Sequence, residues 1–421
     1  MAEYEAYKDS GAAWIGMIPA EWAVTRLKNH LRRTDARNPG GVQVLSLYRE
    51  LGVIPKDSRD DNHNVTSEDT SNYKYVQPGD FVVNKMKAWQ GSVAVSDYEG
   101  IVSPAYYVYK FLDEQFCKRY FHYLIRSCYK EEFMSLSAGI RIGQWDLSSQ
   151  DLDNVPVLIP AMTEQTAIAE YLDRETDRIE AIIAEAKASI DEYKAWKVAL
   201  VNDAVTHGID RNAPSGDSGI YWIGRMPKHW NVKRLKYMFA IKKDIAGEAG
   251  HTILAITQQG VKPKNMADKG QFAADYSNYQ LVCTGDFAMN HMDLLTGWVD
   301  ISAHDGVTSP DYRVFYALSP NEICKDYYKH VFQNCYRCRI FYGLGHGVSG
   351  FGRWRLPADM FLNFVLPVPP LKEQQEIAEY LNTQCAQIDN LIAEKEALVA
   401  DLEAYKKSLI FEVVTGKRKV V

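Results

Sequence analysis

The feature that most constrains this chain is that one module is written in it twice. Residues 9–28 read DSGAAWIGMIPAEWAVTRLK, and residues 217–236 read DSGIYWIGRMPKHWNVKRLK, 208 positions later and without a gap. Later blocks recur in the same order, among them IAEYL at 168–172 and at 377–381. Solenoid repeats are only about 20–50 residues long. The pattern therefore predicts a tandem duplication of a whole module, with two equivalent working surfaces.

Each copy begins with a mixed segment and ends with a helical one. Short β-branched and aromatic runs, separated by Gly and Pro, indicate strands and turns in residues 1–158 and 213–366. Residues 159–212 and 367–421 hold long stretches without Gly or Pro, in which apolar residues recur every seven positions. We predict an α+β protein in which two duplicated globular domains are joined by two long antiparallel coiled-coil helices about a pseudo-twofold axis.

Two heptad tracks define the predicted seam of these helices. The first track consists of Leu172 and Ile179 in the first helix and Leu381, Ile388 and Leu402 in the second. The second track consists of Ile168, Ile182 and Trp196 in the first helix and Ile377, Leu391 and Tyr405 in the second. Polar residues such as Glu175 and Ser189 interrupt the tracks. The alternative is a pair of amphipathic helices that pack separately on the globular domains, but the heptad spacing favours pairing.

Composition places few limits on function. The 421 residues are 46% hydrophobic and 24% charged, as in an ordinary globular protein. With no run of about 18 apolar residues and no cationic then apolar leader, we expect no membrane span, a cytoplasmic location and reduced cysteines. The net charge is −6, but the acidic excess lies mostly in the predicted helices. Because phosphate attraction depends on local clusters of Lys and Arg, DNA binding stays open.

Motifs for catalysis are weak. Residues 345–350 match the dinucleotide pattern G-x-G-x-x-G, but no helical pattern follows them, so we interpret them as a Gly-rich loop. Cys335 and Cys338 form one C-x-x-C pair without a second, whereas structural zinc needs four ligands. We therefore expect no catalytic residues, no metal site and no cofactor in this chain.

The best candidates for a binding surface lie in Gly-flanked loops that combine polar, basic and aromatic side chains. They are Asn84, Lys85, Lys87, Trp89, Gln90, Arg141 and Gln144 in the first copy and Asn290, His291, Asp293, Arg353 and Arg355 in the second. Arg and Lys can read guanine or contact phosphate, and Asn and Gln can read adenine. Some loop residues are the same in both copies, such as Asn84 and Asn290, whereas others differ, such as Lys85 and His291. Two domains that read different DNA sequences would require this combination.

The chain resembles the specificity subunit of a Type I restriction–modification system, the HsdS type, over essentially its whole length. The resemblance rests on the doubled DSGxxWIGxxPxxWxVxRLK opening, the doubled GDFxxNxM and SPxY blocks, and the EQxxIAEYL helix starts. It implies two target-recognition domains that each read one half of a split site in double-stranded DNA. It also implies that the helices set the spacer and dock two methyltransferase subunits.

On this resemblance the chemistry belongs to partners. S-adenosylmethionine is expected on the methyltransferase subunits, which methylate adenine, and ATP and Mg²⁺ on the restriction subunits, which translocate and cut DNA. The family's Pro-Pro before the first long helix is Pro160-Ala161 here. Two alternatives stay open: a specificity subunit of another DNA-modifying phage-defence system, and a methyltransferase or nuclease with an unrecognised site.

Overall fold

The computed structural model describes residues 4–59, 66–139, 145–264, 276–347 and 354–420. These residues form two compact units. Unit 1 comprises Met1–Ala186 with Ala397–Val421, and unit 2 comprises Lys187–Glu396. Each unit therefore contains one globular domain together with part of each long helix. The predicted α+β architecture with two globular domains and two long helices is confirmed.

The globular domain of unit 1 is built on a four-stranded antiparallel sheet in the order β4-β11-β8-β9, surrounded by two-stranded ladders. Its strands are β1 (Tyr7–Asp9), β2 (Met17–Pro19), β3 (Ala23–Arg26), β4 (Leu31–Thr34), β5 (Leu45–Tyr48), β6 (Gly52–Pro55), β7 (Lys74–Val76), β8 (Phe81–Asn84), β9 (Val93–Val95), β10 (Gly100–Val102), β11 (Tyr106–Phe111), β12 (Ser137–Ala138), β13 (Asp146–Leu147) and β14 (Pro156–Ile159). Its helices are α1 (Lys118–Ser127), α2 (Lys130–Leu136) and α3 (Ser149–Asn154), with 3₁₀ turns at Leu27–Asn29, Lys56–Ser58 and Ala88–Gln90.

Unit 2 repeats the plan, with a four-stranded sheet in the order β18-β25-β22-β23. Its strands are β15 (Ser215–Asp217), β16 (Arg225–Pro227), β17 (Asn231–Arg234), β18 (Phe239–Lys242), β19 (Leu254–Thr257), β20 (Gly260–Pro263), β21 (Gln280–Val282), β22 (Phe287–Met289), β23 (Val299–Ile301), β24 (Gly306–Thr308), β25 (Arg313–Ala317) and β26 (Val365–Val368). Its helices are α5 (Lys325–Arg337) and α6 (Ala358–Asn363), with 3₁₀ turns at Leu235–Tyr237 and Tyr342–Leu344. The long helices are α4 (Met162–His207) and α7 (Leu371–Val414), inside the predicted helical regions 159–212 and 367–421.

The repeated opening motif forms a tight turn that leads into a strand. The Asp9 carboxylate accepts a hydrogen bond from Gly11 N at 2.9 Å, and Asp217 accepts one from Gly219 N at 3.0 Å, which is the local geometry that Asp favours in turns. The strand that follows, β3, pairs antiparallel with β14, which directly precedes α4; for example, Val24 faces Leu158. The opening motif thus holds the strand from which the long helix starts.

A buried glutamine fastens the start of each long helix to its globular domain. Gln165 is fully buried, and its Oε1 accepts a hydrogen bond from Cys117 N at 2.9 Å. Its Nε2 donates to Gln115 O at 2.8 Å and to Pro160 O at 2.9 Å. The equivalent Gln374 bonds in the same way to Cys324 N, Glu322 O and Pro369 O. Because a buried amide without partners is costly, these bonds fix where each helix begins.

One of the two predicted heptad tracks is correct. Leu172 and Ile179 in α4 and Leu381 and Ile388 in α7 are each at most 5% exposed, as predicted. Leu402 lies partly buried on the same track. In unit 2 the residues Lys194 and Lys197 pair with Glu396 at 3.9 Å and Asp389 at 2.6 Å, so the helical segments run antiparallel there.

The second predicted track is wrong over most of its length. Ile182, Trp196, Leu391 and Tyr405 are 38–50% exposed. The buried second track lies four residues after the first instead of three, and its members are Thr176, Ile183 and Ile190 in α4 and Cys385, Ile392 and Val413 in α7. Both spacings keep a seven-residue repeat on one helix face. The spacing of four replaces Glu175 and Ser189 in the seam with Thr176 and Ile190, which are cheaper to bury.

In the predicted second track, only the first residue of each helix is buried. Ile168 and Ile377 are both 0% exposed, and they pack into the cores of the globular domains of units 1 and 2, respectively. At these positions each helix lies against its own domain, so the face that is exposed further along is covered.

Each compact unit also holds one copy of a repeated ion pair on this seam. Lys197 contacts Asp389 in unit 2, and its repeat equivalent Lys406 contacts Glu180 in unit 1. The two lysines stand in the second buried track, where a polar residue favours one alignment of the helices over others at some expense of stability. The duplication is therefore retained at the level of single contacts.

The end of α7 gives a test of packing in unit 1. Gly416 has φ 71°, and a Cβ atom there would collide with Pro19 and lie 3.2 Å from the Trp22 ring. Gly11 has φ 76° and open space around the same position. We expect Gly11→Ala to lose about 1–2 kcal/mol of unfolding free energy through its positive φ alone. Gly416→Ala should lose about 1–3 kcal/mol more, from overpacking. Urea unfolding of both variants measures the difference, and equal losses would contradict the close packing at Gly416.

Candidate nucleic-acid interface

In unit 1 the candidate surface is made by two segments that lie side by side, residues 84–91 after β8 and residues 145–147 around β13. Leu147 N donates to Lys85 O at 3.0 Å, which joins the segments. The rings of Trp89 and Trp145 pack edge to face with centroids 5.1 Å apart. The structure thus brings together side chains that are about 60 residues apart in the sequence.

The asparagines of the two loops build the turns. Asn84 is 8% exposed, and its Oδ1 accepts a hydrogen bond from Met86 N at 3.2 Å. Asn290 accepts the same bond from Met292 N, also at 3.2 Å. An amide oxygen used in this way holds the loop in shape, which accounts for Asn at both equivalent positions. Their predicted contact with DNA stays a prediction.

The two lysines of the unit 1 loop differ in whether a carboxylate already pairs with them. The Lys85 ammonium contacts the Asp146 carboxylate at 3.1 Å. Lys87 is exposed, and among the described residues no carboxylate pairs with it. Gln90 Oε1 accepts a hydrogen bond from Arg49 at 2.9 Å, and Trp89 Nε1 donates to Met86 O at 3.1 Å. Lys87 is therefore the residue of this loop best placed to contact an anion.

In unit 2 the corresponding segments are residues 290–297 and 354–356. Leu294 N donates to Trp354 O at 3.1 Å, and Leu356 N donates to His291 O at 2.9 Å. The Asp293 carboxylate accepts bonds from Leu295 N at 2.9 Å and Thr296 N at 3.1 Å. Like Asn290, Asp293 shapes the loop, so both of its oxygens already have donors in this structure.

A buried arginine lies beneath the unit 2 loop. Arg313 on β25 is 4% exposed, its Nη2 donates to Leu356 O at 3.0 Å, and its guanidinium lies 4.6 Å from the centre of the Phe361 ring. Burial lowers the pKa of Arg313 to about 10. Burial, followed by the charges of Arg313 and Arg355, lowers the pKa of His291 to about 3. His291 is consequently neutral at pH 7 and does not add a charge to this surface.

The two surfaces share one backbone arrangement but carry their unpaired cation at different positions of it. Where unit 1 has Lys85, Lys87 and Asp146, unit 2 has His291, Asp293 and Arg355. Asp146 and Arg355 each precede the leucine that bonds to the neighbouring loop. Arg355 is exposed, and within the part of the chain that the structure describes no carboxylate contacts its guanidinium. The available cation is thus Lys87 in one unit and Arg355 in the other.

Three predicted contact residues cannot be placed. Arg141, Gln144 and Arg353 lie outside the described residues. For the other predicted residues, contact with DNA stays a prediction.

Sequence reasoning missed four residues of these surfaces. Asp146 and Arg49 act through partners that are 61 and 41 positions away, a distance that no local pattern reveals. Arg313 stands where the first copy has Tyr107, and Leu295 where it has Trp89. Comparing the two copies position by position would have detected these last two.

Comparison with known proteins agrees with the resemblance. Residues 39–192 match the family model described as the Type I restriction modification DNA specificity domain. The chain is 23% identical to the Type I restriction enzyme MjaVIII specificity subunit of Methanocaldococcus jannaschii, over 96% of this chain and 94% of that protein. The chain is thus similar to Type I restriction–modification specificity subunits, over residues 39–192 in the family model and over most of its length in this relative.

Two solved structures share the fold of this chain. One chain, from work on complex assembly and conformational transition of the type I R-M system, matches with a TM-score of 0.68 at 12% identity and covers 94% of this chain and 98% of itself. The HsdS subunit from Thermoanaerobacter tengcongensis matches with a TM-score of 0.54 at 14% identity, covering 95% and 98%. At these identities the likeness concerns the fold alone.

None of the described helices combines the length and apolar character that crossing a bilayer requires. No group of three or more His, Cys, Asp or Glu side chains in the described ranges is arranged to hold a metal ion. Cys335 is fully buried on α5, whereas Cys338, just after this helix, is exposed.

The low pKa of His291 predicts a pH effect on stability. Its folded pKa of about 3 lies below the ordinary value of about 6.5, so the unfolded chain binds the proton more readily between these pH values. Stability should therefore fall as the pH is lowered from about 6.5. His291→Asn should lose less stability than the natural chain between pH 7 and pH 4.5, measured by urea unfolding.

A buried histidine of unit 1 serves as the comparison. The pKa of His122 is lowered to about 4, chiefly by burial, so His122→Asn should flatten the pH dependence in the same direction. If His291→Asn and the natural chain showed parallel pH profiles, His291 would be protonated as easily in the folded state as in the unfolded one, contrary to the packing described above.

Proposed function

We propose that this chain supplies DNA sequence recognition to a Type I restriction–modification complex, and that each globular domain reads one half of a split site. The observation that carries the proposal is the pair of equivalent loop surfaces with one backbone frame and different side chains. Lys87 and Arg355 offer a cation at different positions of that frame. Arg or Lys at base edges favours guanine, so moving the cation changes which base is favoured.

The exposed apolar stripe on the long helices is the docking surface for two methyltransferase subunits. Ile182 and Tyr405 belong to unit 1, and Leu391 and Trp196 belong to unit 2; each is exposed to between 38 and 50%. Large apolar side chains that repeat along a helix face are typical of sites for a partner. Because Leu391 is the repeat equivalent of Ile182, two copies of one partner can use the same contacts.

In this complex the chain recognises DNA in the cytoplasm and the helices set the spacer between the half-sites. Methyl transfer belongs to the methyltransferase subunits with S-adenosylmethionine, and translocation and cleavage belong to restriction subunits with ATP and Mg²⁺. The chain itself contributes binding and positioning.

Half-site recognition can be tested with single substitutions. Lys87→Ala should weaken recognition of one half-site only, and Arg355→Ala should weaken the other only, since each cation lies in a different unit. A well-placed cation at a base edge contributes about 1–3 kcal/mol of discrimination, so a loss of roughly tenfold is expected. Sequencing of methylated sites in cells that express each variant gives the two half-site patterns.

Lys8→Ala and Lys233→Ala are matched controls, because both lysines are exposed on strands outside the loops. They should leave both half-sites unchanged. Equal weakening of both half-sites by Lys87→Ala would contradict the assignment of one half-site to each unit.

Docking can be separated from folding with two neighbouring isoleucines. Ile182 is 38% exposed and Ile183 is 9% exposed. Ile182→Asp should keep the unfolding free energy but reduce the methyltransferase subunits retained from two to one, and Ile182→Asp with Leu391→Asp should retain none. Ile183→Asp should instead cost at least the roughly 2–5 kcal/mol typical of truncating a buried isoleucine. Native mass spectrometry of co-purified complexes measures the stoichiometry, and full retention of two subunits by the double variant would exclude this docking surface.

A further inference from the structure

The loop of unit 2 holds one apolar side chain out into solvent. Leu295 is 55% exposed, whereas its neighbour Leu294 is 1% exposed and packs into the core. An exposed leucine by itself is ordinary on a protein surface. The way in which this loop is built makes Leu295 different.

Leu295 is held by a closed turn. The Asp293 carboxylate accepts hydrogen bonds from Leu295 N at 2.9 Å and Thr296 N at 3.1 Å, and the Thr296 hydroxyl donates to the same carboxylate. Gly297 allows the chain to close, since a Cβ there would collide with Asp293 O and lie 2.6 Å from Asn290 O. The position of the Leu295 backbone is thus fixed before any partner binds, which lowers the entropic cost of a contact.

The first copy has a large apolar residue at the same loop position. Trp89 stands there, and it packs edge to face on Trp145 with centroids 5.1 Å apart. In unit 2 the equivalent of Trp145 is Trp354, and this ring lies 5.5 Å from Tyr342 instead, with its Nε1 donating to Tyr342 O at 2.8 Å. Both copies therefore place an apolar group at the tip, while its aromatic neighbour takes a different partner in unit 2.

We propose that Leu295 contacts the C5-methyl group of a thymine in the major groove of the half-site read by unit 2. This inference rests on the proposed function and deepens it. The thymine methyl group is the apolar feature that the four base pairs present in that groove. Asp293 carries a negative charge beside the tip, which disfavours an approach to phosphates and favours base edges. Leu294 N bonds to Trp354 O at 3.1 Å, so exposed Arg355 supplies a polar contact from the adjoining segment.

The test removes one methyl group at a time. The recognised sequence is first obtained from the methylated sites, and duplexes are then made in which each thymine of the unit 2 half-site is replaced by deoxyuridine. The full chain with its methyltransferase subunits should bind one of these duplexes about fourfold less tightly, the effect of about one buried methyl group. Leu295→Ala should bind the natural duplex more weakly and should no longer distinguish thymine from deoxyuridine at that position.

Leu318→Ala is the matched control, because Leu318 is 48% exposed in the same unit. It directly follows the last residue of β25, whereas Arg313 is the first residue of that strand. It should retain the full sensitivity to deoxyuridine. If no thymine of the half-site were sensitive, or if Leu295→Ala kept the sensitivity, the proposal would be overturned while half-site recognition stood. A wedge-like insertion of Leu295 between base pairs would give a loss that does not depend on any methyl group, and this result also overturns it. Absence of any sequence-specific binding would instead refute the proposed function.

Discussion

The buried glutamine at the start of each long helix is the contact on which the rest of this structure depends. Gln165 and Gln374 are 0 and 1% exposed, and each makes three hydrogen bonds to backbone groups of its globular domain. Removing such an amide would leave one buried carbonyl, that of Pro160 or Pro369, without this partner, at about 1–3 kcal/mol, and would also break two part-buried bonds. A neutral amide does this without burying a charge, so the attachment does not change with pH or salt. The loops proposed to read DNA can be held at a defined place relative to a helix only if this attachment is rigid.

The sequence predicts the gross fold well because its signals are long and repeated. A period of 208 residues and two uninterrupted heptad segments leave few architectures, and one seam track, that of Leu172 and Leu381, is confirmed. The second track is wrong because spacings of three and four residues both satisfy a heptad, so the periodicity does not select between them. The burial cost of individual residues selects the spacing. A spacing of three would bury Glu175, whereas a spacing of four buries Thr176 and Ile183.

The candidate surface is less predictable, for a different physical reason. Its chemistry depends on pairs that are distant in sequence, such as Lys85 with Asp146, and on whether a polar group is used for the turn or left free. Asn84 and Asp293 look alike as candidate base contacts, yet in both cases side-chain oxygens are bound to backbone N–H groups of their own loop. Residue type indicates which bonds a side chain can make, whereas the turn determines which of them are already made.

The free charge on these surfaces bears on why the module is doubled. Within the described loop segments, unit 1 offers Lys87 and unit 2 offers Arg355, while Lys85 is paired and His291 is neutral. A protein that binds DNA tightly through phosphates alone usually neutralises several of them, so one free cation on a loop gives little affinity by itself. Two such readers on one chain bind with an effective concentration set by their connection, which raises affinity without any new contact. On the proposed function, doubling a weak reader gives tight binding only where both half-sites are present at the right separation, and selectivity for a split site follows from the weakness of each half.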